Sequence, residues 1–263
     1  MSKREYDIDH DILLVITMKE HSHRLPNKNR MVLGGKPLLQ WSLDTLDKAF
    51  PHADLVIITD DEVIKKWLTR DGGYLHKNKP GGCARERFLL LDEPEEMTLE
   101  HSPGPLTYAW KTMEDLHDRQ YPFICNRELC APFAKPSSAR LAASLAIDND
   151  ADWVGPVLRH DHRWFMKEDE VSGDIVPLEP DYVLKVSGED PTYQLTSGAH
   201  IFKRPKGLSD GEPFGLPGMF PGPVVCVDWW EGINLDTLAD LQLAQMYLTW
   251  KYGPTAAETS YLE

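Results

Sequence analysis

The sequence lacks a long hydrophobic run and a secretion signal. No stretch of 18 consecutive apolar residues occurs in its 263 residues, so no membrane span is expected. The first eleven residues, Met1–Asp11, are polar and mixed in charge, and they lack the apolar core of a signal peptide. We therefore expect a cytoplasmic protein.

Positive charge is also scarce. The chain has 28 Lys and Arg against 42 Asp and Glu, a formal net charge of −14. Proteins that bind nucleic acids need clustered cations to contact the phosphate backbone, so no nucleic-acid partner is expected. A small anion can still bind where cations are concentrated in one loop.

Cysteines are few, and none form a C-x-x-C pair. The four are Cys83, Cys125, Cys130 and Cys226. In a chain without a secretion signal, this spacing favours free buried thiols over disulfides or a metal site.

Apolar runs alternate with helical patterns through the first third of the chain. Ile12–Ile16 and Leu55–Ile58 are typical of buried strands, and Leu38–Phe50 has apolar residues at helical spacing. A second helix follows, for which Asp60 or Asp61 can be the N-cap. This alternation predicts an α/β fold with a mostly parallel sheet and right-handed crossovers.

The remaining chain continues the pattern with some interruptions. Long loops are expected in 74–105, hairpins or an excursion from the sheet in 159–195, and a poorly ordered tail after Gly253. In the helix predicted at 136–149, Leu141 is expected to face inward. Further helices are predicted at 105–116 and 237–252, and strands at 121–125, 153–158, 199–202 and 224–227.

A polar loop dense in cations, Thr17–Asn29, follows the first predicted strand. It contains Lys19, Arg24 and Lys28. Loops at the carboxyl ends of parallel strands are where open α/β sheets bind ligands. The sequence therefore predicts a binding site for a phosphorylated ligand in this loop.

The motifs of the chain, in this order, resemble those of the acylneuraminate (CMP-sialic acid synthetase-like) cytidylyltransferases. The matching segments are Ser22 with R-L-P-x-K-N at 24–29, L-x-G-K-P-L at 33–38, T-D-D-E at 59–62, S-G-A-H-I-F at 197–202 and N-L-D-T-L-A-D-L at 234–241. The matches extend from about residue 12 to residue 245. The resemblance implies a Rossmann-like nucleotidyltransferase fold, in which a mostly parallel sheet is flanked by helices. It also implies one domain over 1–263, with 159–200 as an excursion that forms a homodimer and completes the partner's acceptor site.

The same resemblance implies a reaction and residues that support it. CMP would be transferred from CTP to a sialic-type ulosonic acid, and pyrophosphate would be released. Lys28, Arg24 and Lys19 would be the catalytic cations, because the protein mainly positions the reactants and neutralises phosphate charge. Ser22 and Asn29 would bind the nucleotide together with Arg24 and Lys28.

A magnesium site is implied at the last motif. Asp236 is the expected Mg²⁺ ligand, and Asn234 stands where the family has a second Asp. One or two carboxylates with substrate phosphates are the usual ligands of Mg²⁺. The alternative for Asp236 is the N-cap of the following helix.

Acceptor-binding residues are assigned less directly. Asn126 and Arg127 follow the third predicted strand, where they could point at the acceptor. Lys185 is a loose substitute for the arginine that grips the sugar carboxylate in the family, and Tyr193 is assigned to the same site.

The chain departs from the family pattern at several places, including the missing arginine for the sugar carboxylate, and these departures leave alternatives open. Glu20 and His21 replace two glycines of the phosphate loop, and Asn234 replaces an acid. One alternative is a cytidylyltransferase for a different anionic acceptor, such as a phosphonate or another sugar acid. The other is a non-catalytic homologue that binds nucleotide or scaffolds a partner.

Overall fold

The computed structural model describes most of the chain, and its centre is an eight-stranded sheet. It describes residues 6–20, 22, 24–70, 73–74, 88–92, 94, 104–160, 166–168, 175–177, 192–205 and 222–262. In chain order the strands are β1 (Ile12–Met18), β2 (Met31–Leu33), β3 (Lys36–Pro37), β4 (Leu55–Thr59), β5 (Phe88–Leu91), β6 (Phe123–Arg127), β7 (Trp153–His160), β8 (Met166–Glu168), β9 (Ile175–Pro177), β10 (Thr192–Leu195), β11 (Ala199–Lys203), β12 (Val224–Cys226) and β13 (Thr259–Tyr261). The helices are α1 (Leu38–Ala49), α2 (Glu62–Thr69), α3 (Gly104–His117), α4 (Pro136–Asp148) and α5 (Leu238–Tyr252).

The main sheet has the order β10-β7-β11-β6-β1-β4-β5, and β12 pairs with β7. Strand β1 is parallel to both β4 and β6, and β4 is parallel to β5, whereas β11 is antiparallel to β6 and β7. The predicted α/β fold with a mostly parallel central sheet is therefore confirmed. The chain runs from β1 to β4 and β5 on one side and returns to β6 on the other. Such a switch point between β1 and β6 opens a crevice at the carboxyl ends of these strands.

Strand β1 shows why the sheet is buried on both faces. Ile12, Leu14 and Ile16 belong to one hydrophobic cluster, and Leu13 and Val15 belong to another on the opposite face. Side chains alternate between the faces of a strand, so a continuous apolar run needs cover on both. Helices α1, α2, α4 and α5 contribute to the first cluster and α3 to the second.

Within the described ranges, no helix combines the length and the hydrophobicity that a membrane span requires.

A small three-stranded sheet holds the C-terminal segment against the start of the chain. Strand β13 pairs antiparallel with β2, which also pairs with β3. The turn between β2 and β3 uses Gly34 and Gly35 at φ of 62° and 72°, a conformation that favours glycine. The Leu262 amide donates to the Arg30 carbonyl at 2.8 Å. The expectation of a poorly ordered tail is wrong, because its backbone is paired with β2.

Two further expectations from the sequence are corrected. The segment 74–105 contains β5, which completes the parallel edge beside β4. Leu141 on α4 is 49% exposed instead of facing inward. The buried positions of α4 are alanines, whose small side chains let the helix approach the sheet closely: Ala139, Ala142, Ala143 and Ala146.

The predicted excursion 159–200 is described only in part. Strands β8 and β9 form a separate antiparallel pair, and β10 pairs with the end of β7. Lys185 lies outside the described residues.

Candidate active site

Four segments lie near the carboxyl ends of β1, β4 and β6: those that follow these three strands and the segment before α5. The Glu20 amide, two residues after β1, donates to the Asp60 carboxylate, which follows β4, at 2.6 Å. The Leu235 amide donates to the Cys130 carbonyl in the loop after β6 at 2.7 Å. The cation-rich loop therefore lies at the same edge of the sheet as the segment before α5.

The cation-rich loop is fixed from inside by Asn29. Its side-chain amide, in a residue that is 9% exposed, donates to the Lys19 carbonyl at 2.5 Å. Asn27 adopts φ 56° and precedes a 3₁₀ turn at Lys28–Arg30. Asn29 thus braces the loop, which is a different use of its amide from the nucleotide contact that the resemblance implies.

The braced loop brings Lys28 and Arg24 to one carboxylate. Lys28 Nζ lies 2.8 Å from Asp236 Oδ1, and Arg24 Nη2 lies 3.0 Å from Asp236 Oδ2. The side-chain amide of Asn234 donates to Asp236 Oδ2 at 2.9 Å. We call these four residues the Asp236 cluster. It contains four of the residues that sequence reasoning assigned to nucleotide and metal binding.

Burial differs between the members of this cluster. The side chains of Lys28 and Asp236 are 15% and 18% exposed, whereas that of Arg24 is 71% exposed. Exposed ion pairs contribute little to stability because water screens them. Arg24 is therefore free to exchange partners at low cost.

Asp236 is not the N-cap of α5. Thr237 is the N-cap, and it forms a capping box with Asp240: the Asp240 amide donates to Thr237 Oγ1 at 3.3 Å, and the Thr237 amide donates to Asp240 Oδ2 at 2.7 Å. The alternative assignment of Asp236 as a helix cap is therefore wrong. Its carboxylate points at the cations of the loop instead.

Glu20 binds a different cation of the same loop. Arg30 Nη2 donates to Glu20 Oε1 at 2.6 Å, and Arg30 Nε donates to Asp61 Oδ2 at 2.8 Å. The hydrogen bond to Asp61 raises the pKa of Arg30 above its ordinary value. We call Glu20, Arg30 and Asp61 the Arg30 cluster. The described ion pair of the Glu20 carboxylate is therefore with Arg30 and not with Lys28.

Asp61 also caps α2, as the sequence predicts. Its carboxylate accepts from the amides of Val63 and Ile64 at 2.9 and 3.2 Å. It is fully buried, so its charge depends on these amides and on Arg30.

Arg127 is not available to an acceptor, contrary to its assignment. Its side chain is fully buried, and its guanidinium donates to the carbonyls of Glu128, of Ala131 at 2.5 Å and of Gly198 at 3.5 Å. Burial lowers the pKa of Arg127. The residue holds the loop after β6 in place instead of contacting a ligand.

The loop after β6 carries a pair that sequence reasoning missed. His200 Nε2 lies 3.5 Å from Glu128 Oε2, and the His200 ring stacks between Trp153 and Phe202. Burial alone would raise the pKa of Glu128, but hydrogen bonds from His200 and Ser197 outweigh it and lower that pKa. The only signal in the sequence was that Glu128 lies in the loop after the third predicted strand, three residues past its end.

The other assigned residues lie near the same edge without forming a described contact to the Asp236 cluster. Lys19 follows β1 directly, and Ser22 is half-buried in the cation-rich loop. Asn126 is half-buried on β6, opposite His200. Tyr193 on β10 is 52% exposed. Lys185 and His21 lie outside the described residues.

Three cysteines are described, and all are free thiols, as the sequence predicts. Burial raises the pKa of Cys125 to about 12 and that of Cys130 to about 11, so neither is a reactive thiolate. Cys226 is exposed, which differs from the expected burial.

Comparison with known proteins confirms the resemblance that the motifs indicated. Residues 13–76 match the family model described as cytidylyltransferase. N-acylneuraminate cytidylyltransferase A of Danio rerio is 27% identical over 164 residues, which are 62% of this chain and 34% of that protein. The chain therefore spans about a third of the length of the curated relative that it matches.

Solved structures share the fold at low identity. CMP:2-keto-3-deoxy-manno-octonic acid synthetase complexed with CTP superposes with a TM-score of 0.56 at 14% identity, over 91% of this chain and 99% of that chain. The 4-diphosphocytidyl-2C-methyl-D-erythritol synthase of Anaerococcus prevotii gives 0.55 at 14% identity, over 92% and 100%. The fold is the Rossmann-like nucleotidyltransferase fold.

Proposed function

We propose that this protein is a CTP-dependent cytidylyltransferase that transfers CMP to an acidic sugar, a ulosonic acid of the sialic type. One observation carries the proposal. Lys28 and Arg24 meet at Asp236, at the edge of the sheet where a nucleotidyltransferase fold binds its ligand.

The charge of the Asp236 cluster suits a triphosphate. Two cations share one carboxylate, so the cluster has a formal charge of +1 in a chain of −14. A triphosphate offers the two cations more negative charge than Asp236 does. We expect Lys28 and Arg24 to exchange the carboxylate for phosphate oxygens when the nucleotide binds.

The reaction needs these cations at the phosphates. The acceptor hydroxyl oxygen attacks the α-phosphorus of CTP and forms the new P–O bond. The bond from the α-phosphorus to the oxygen that bridges it to the β-phosphate breaks, and pyrophosphate leaves. The hydroxyl proton passes to water. Lys28 and Arg24 neutralise the charge that builds on the phosphate oxygens, which is the main contribution of protein groups to such a transfer.

The donor set at Asp236 fits a magnesium ion that is held mainly by phosphates. The described residues contain no group of three or more His, Cys, Asp or Glu side chains able to hold a metal alone. Within the same residues, Asn234 Oδ1 is buried and has no hydrogen-bond partner. This oxygen and the Asp236 carboxylate would hold Mg²⁺, which commonly completes its shell with phosphate and water oxygens. When bound, the ion would neutralise phosphate charge.

The acceptor class rests on the names of similar proteins. Both the acylneuraminate enzyme of Danio rerio and the octonic acid synthetase act on acidic sugars by name. With Arg127 buried, Asn126 and Tyr193 are the described residues that we propose for the acceptor.

The test follows pyrophosphate release in the presence of CTP, Mg²⁺ and a panel of acceptors. The panel contains N-acetylneuraminate, 3-deoxy-manno-octulosonate, a phosphonate and a neutral sugar. Pyrophosphate release with N-acetylneuraminate alone supports the proposal. Release only with another acid would show that the acceptor belongs to a different class of acid. If no acid gives release, and CTP with Mg²⁺ leaves the melting temperature unchanged, the enzyme proposal fails.

We further propose a homodimer, as the resemblance implies, in which 159–200 completes the partner's acceptor site. The antiparallel pair β8–β9 lies in this range and supports a projection from the main sheet. Sedimentation of the full chain and of a chain with 161–191 replaced by a short Gly-Ser linker tests this proposal. A monomeric full chain would exclude the dimer.

A further inference from the structure

A second cationic site lies at the other end of α5. It is a depression of about 270 Å³, just below the range of sites for drug-sized molecules, so only a small ligand would fit it. We call it the α1–α5 depression. Its lining includes Trp41, Lys48, Phe133, Tyr247, Lys251 and Tyr252. Lys251 comes fifteen residues after Asp236, which along a helix is roughly 20 Å. The depression is therefore separate from the Asp236 cluster.

The walls of the depression are built by packing among its own residues. On α1, Trp41, Thr45 and Lys48 follow one another at helical spacing, so they share a face. The Trp41 ring meets Phe133 edge-on at 5.5 Å between centroids, and Phe133 meets Tyr247 at 4.7 Å. Thr45 Oγ1 donates to the Ala134 carbonyl at 3.1 Å. The aromatic walls are thus fixed before any ligand enters.

Two of the three lysines in the lining are not neutralised by an acid. Lys36 Nζ pairs with Asp44 Oδ2 at 2.6 Å. Lys251 Nζ instead donates to the Tyr247 hydroxyl at 2.7 Å, and this hydrogen bond raises the pKa of Lys251. Lys48 is exposed and has no carboxylate partner within the described part of the chain. The depression therefore carries excess positive charge in a chain whose net charge is −14.

We propose that the α1–α5 depression binds a small organic anion that carries a ring. The ammonium groups of Lys48 and Lys251 would pair with its phosphate or carboxylate. The ring would pack on Tyr252, which is 57% exposed, beside the fixed aromatic wall. Away from this depression and the Asp236 cluster, a chain with a net charge of −14 repels anions, so local cationic sites determine where they bind. The proposal does not depend on the activity proposed above.

The experiment titrates three probes into a Lys28→Ala chain, in which the Asp236 cluster is weakened. Isothermal titration calorimetry measures the binding affinities of CMP, N-acetylneuraminate and inorganic phosphate. We expect at least one ring-bearing probe to bind at least tenfold more tightly than phosphate. Adding Lys48→Ala and Lys251→Ala should weaken that binding at least tenfold. Lys66→Ala, which removes an exposed lysine of α2, is the matched control and should leave the binding unchanged.

A second variant separates the ring from the charge. Tyr252→Ala should weaken binding of the ring-bearing probe severalfold and leave the binding of phosphate unchanged. An unchanged melting temperature would show that this variant is folded. Binding of CMP alone identifies a phosphate ligand, and binding of N-acetylneuraminate alone identifies a carboxylate ligand. The proposal is overturned if neither ring-bearing probe binds, if phosphate binds as tightly, or if the double lysine change has no effect.

Discussion

The Asp236 cluster and the Arg30 cluster arise from the same 3₁₀ turn and are opposite in charge. Lys28 and Arg30 are two residues apart. Lys28 joins Arg24 at a single carboxylate, so cations are in excess there. Arg30 alone serves two carboxylates, Glu20 and Asp61, so acids are in excess there.

The difference in burial indicates which of the two clusters can exchange its ion-pair partners. Asp61 is fully buried, and Arg30 satisfies it together with the amides of α2. Breaking such an arrangement leaves a buried charge unpaired, which is costly. The Asp236 cluster includes the exposed Arg24 and can exchange partners. We infer that one cluster holds the loop and the other binds the ligand.

The largest effect is expected from Lys28→Ala. Turnover should fall about 1000-fold or more, because one charge at the phosphates is lost. The melting temperature should change little, since Arg24 and Asn234 still contact Asp236. Pyrophosphate release measures the first and thermal unfolding the second, with Lys66→Ala as the control. Full activity in Lys28→Ala would show that Lys28 does not have the role proposed for it.

Asp236→Ala tests the acid of the same cluster. We expect turnover to fall about 100- to 1000-fold, because the proposed Mg²⁺ ligand is lost. Without Mg²⁺, CTP should bind at least as tightly as to the parent, since no carboxylate then competes for Lys28 and Arg24. Titration calorimetry with and without Mg²⁺ measures both, and Asp236→Asn keeps the side-chain size. Weaker Mg²⁺-free binding of CTP by either variant would contradict the exchange of partners.

Arg30→Ala should act mainly on stability. We expect a loss of about 3 kcal/mol in the free energy of unfolding, because Asp61 would be left buried without its cation. Urea unfolding measures it, and Arg30→Lys should recover part of the loss. A loss below about 1 kcal/mol, the size of an ordinary substitution, would show that Arg30 does not hold the loop.

Glu20→Ala should have the smallest effect. The side chain is 40% exposed, so a loss of about 0.5 kcal/mol in the free energy of unfolding is expected. Turnover should stay within about twofold, a change below 1 kcal/mol in the activation free energy, because the Glu20 carboxylate is paired with Arg30. Glu62→Ala, which breaks an exposed pair with Lys65, is the control. A large gain of activity in Glu20→Ala would show that Glu20 does repel the nucleotide.

The sequence predicted the parallel core because its signals are local. The apolar run of β1 and the spacing of α1 need no distant partner to be recognised. Strand β5 was missed because four apolar residues inside a polar segment do not identify a strand without β4 beside them. The pairing of β13 was missed for the same reason, since its three residues are all exposed.

The sequence predicted which residues belong to the candidate site, but it did not predict which of them contact one another. Lys28 and Asp236 were both chosen, although 208 residues separate them and no local signal joins them. Arg127 was assigned to the acceptor because it follows a strand, but its side chain turns back to carbonyls. Side-chain direction at the end of a strand depends on packing that the sequence does not display.

The pairing of β13 with β2 has a practical consequence for anyone who alters the C-terminus. The Leu262 amide donates to the carbonyl of Arg30, the last residue of the turn that carries Lys28. Deleting the chain from Thr259 onward, or fusing a bulky tag directly to it, would remove a backbone support from the cation-rich loop. We expect a recombinant protein trimmed there to bind CTP less tightly although every assigned side chain is intact.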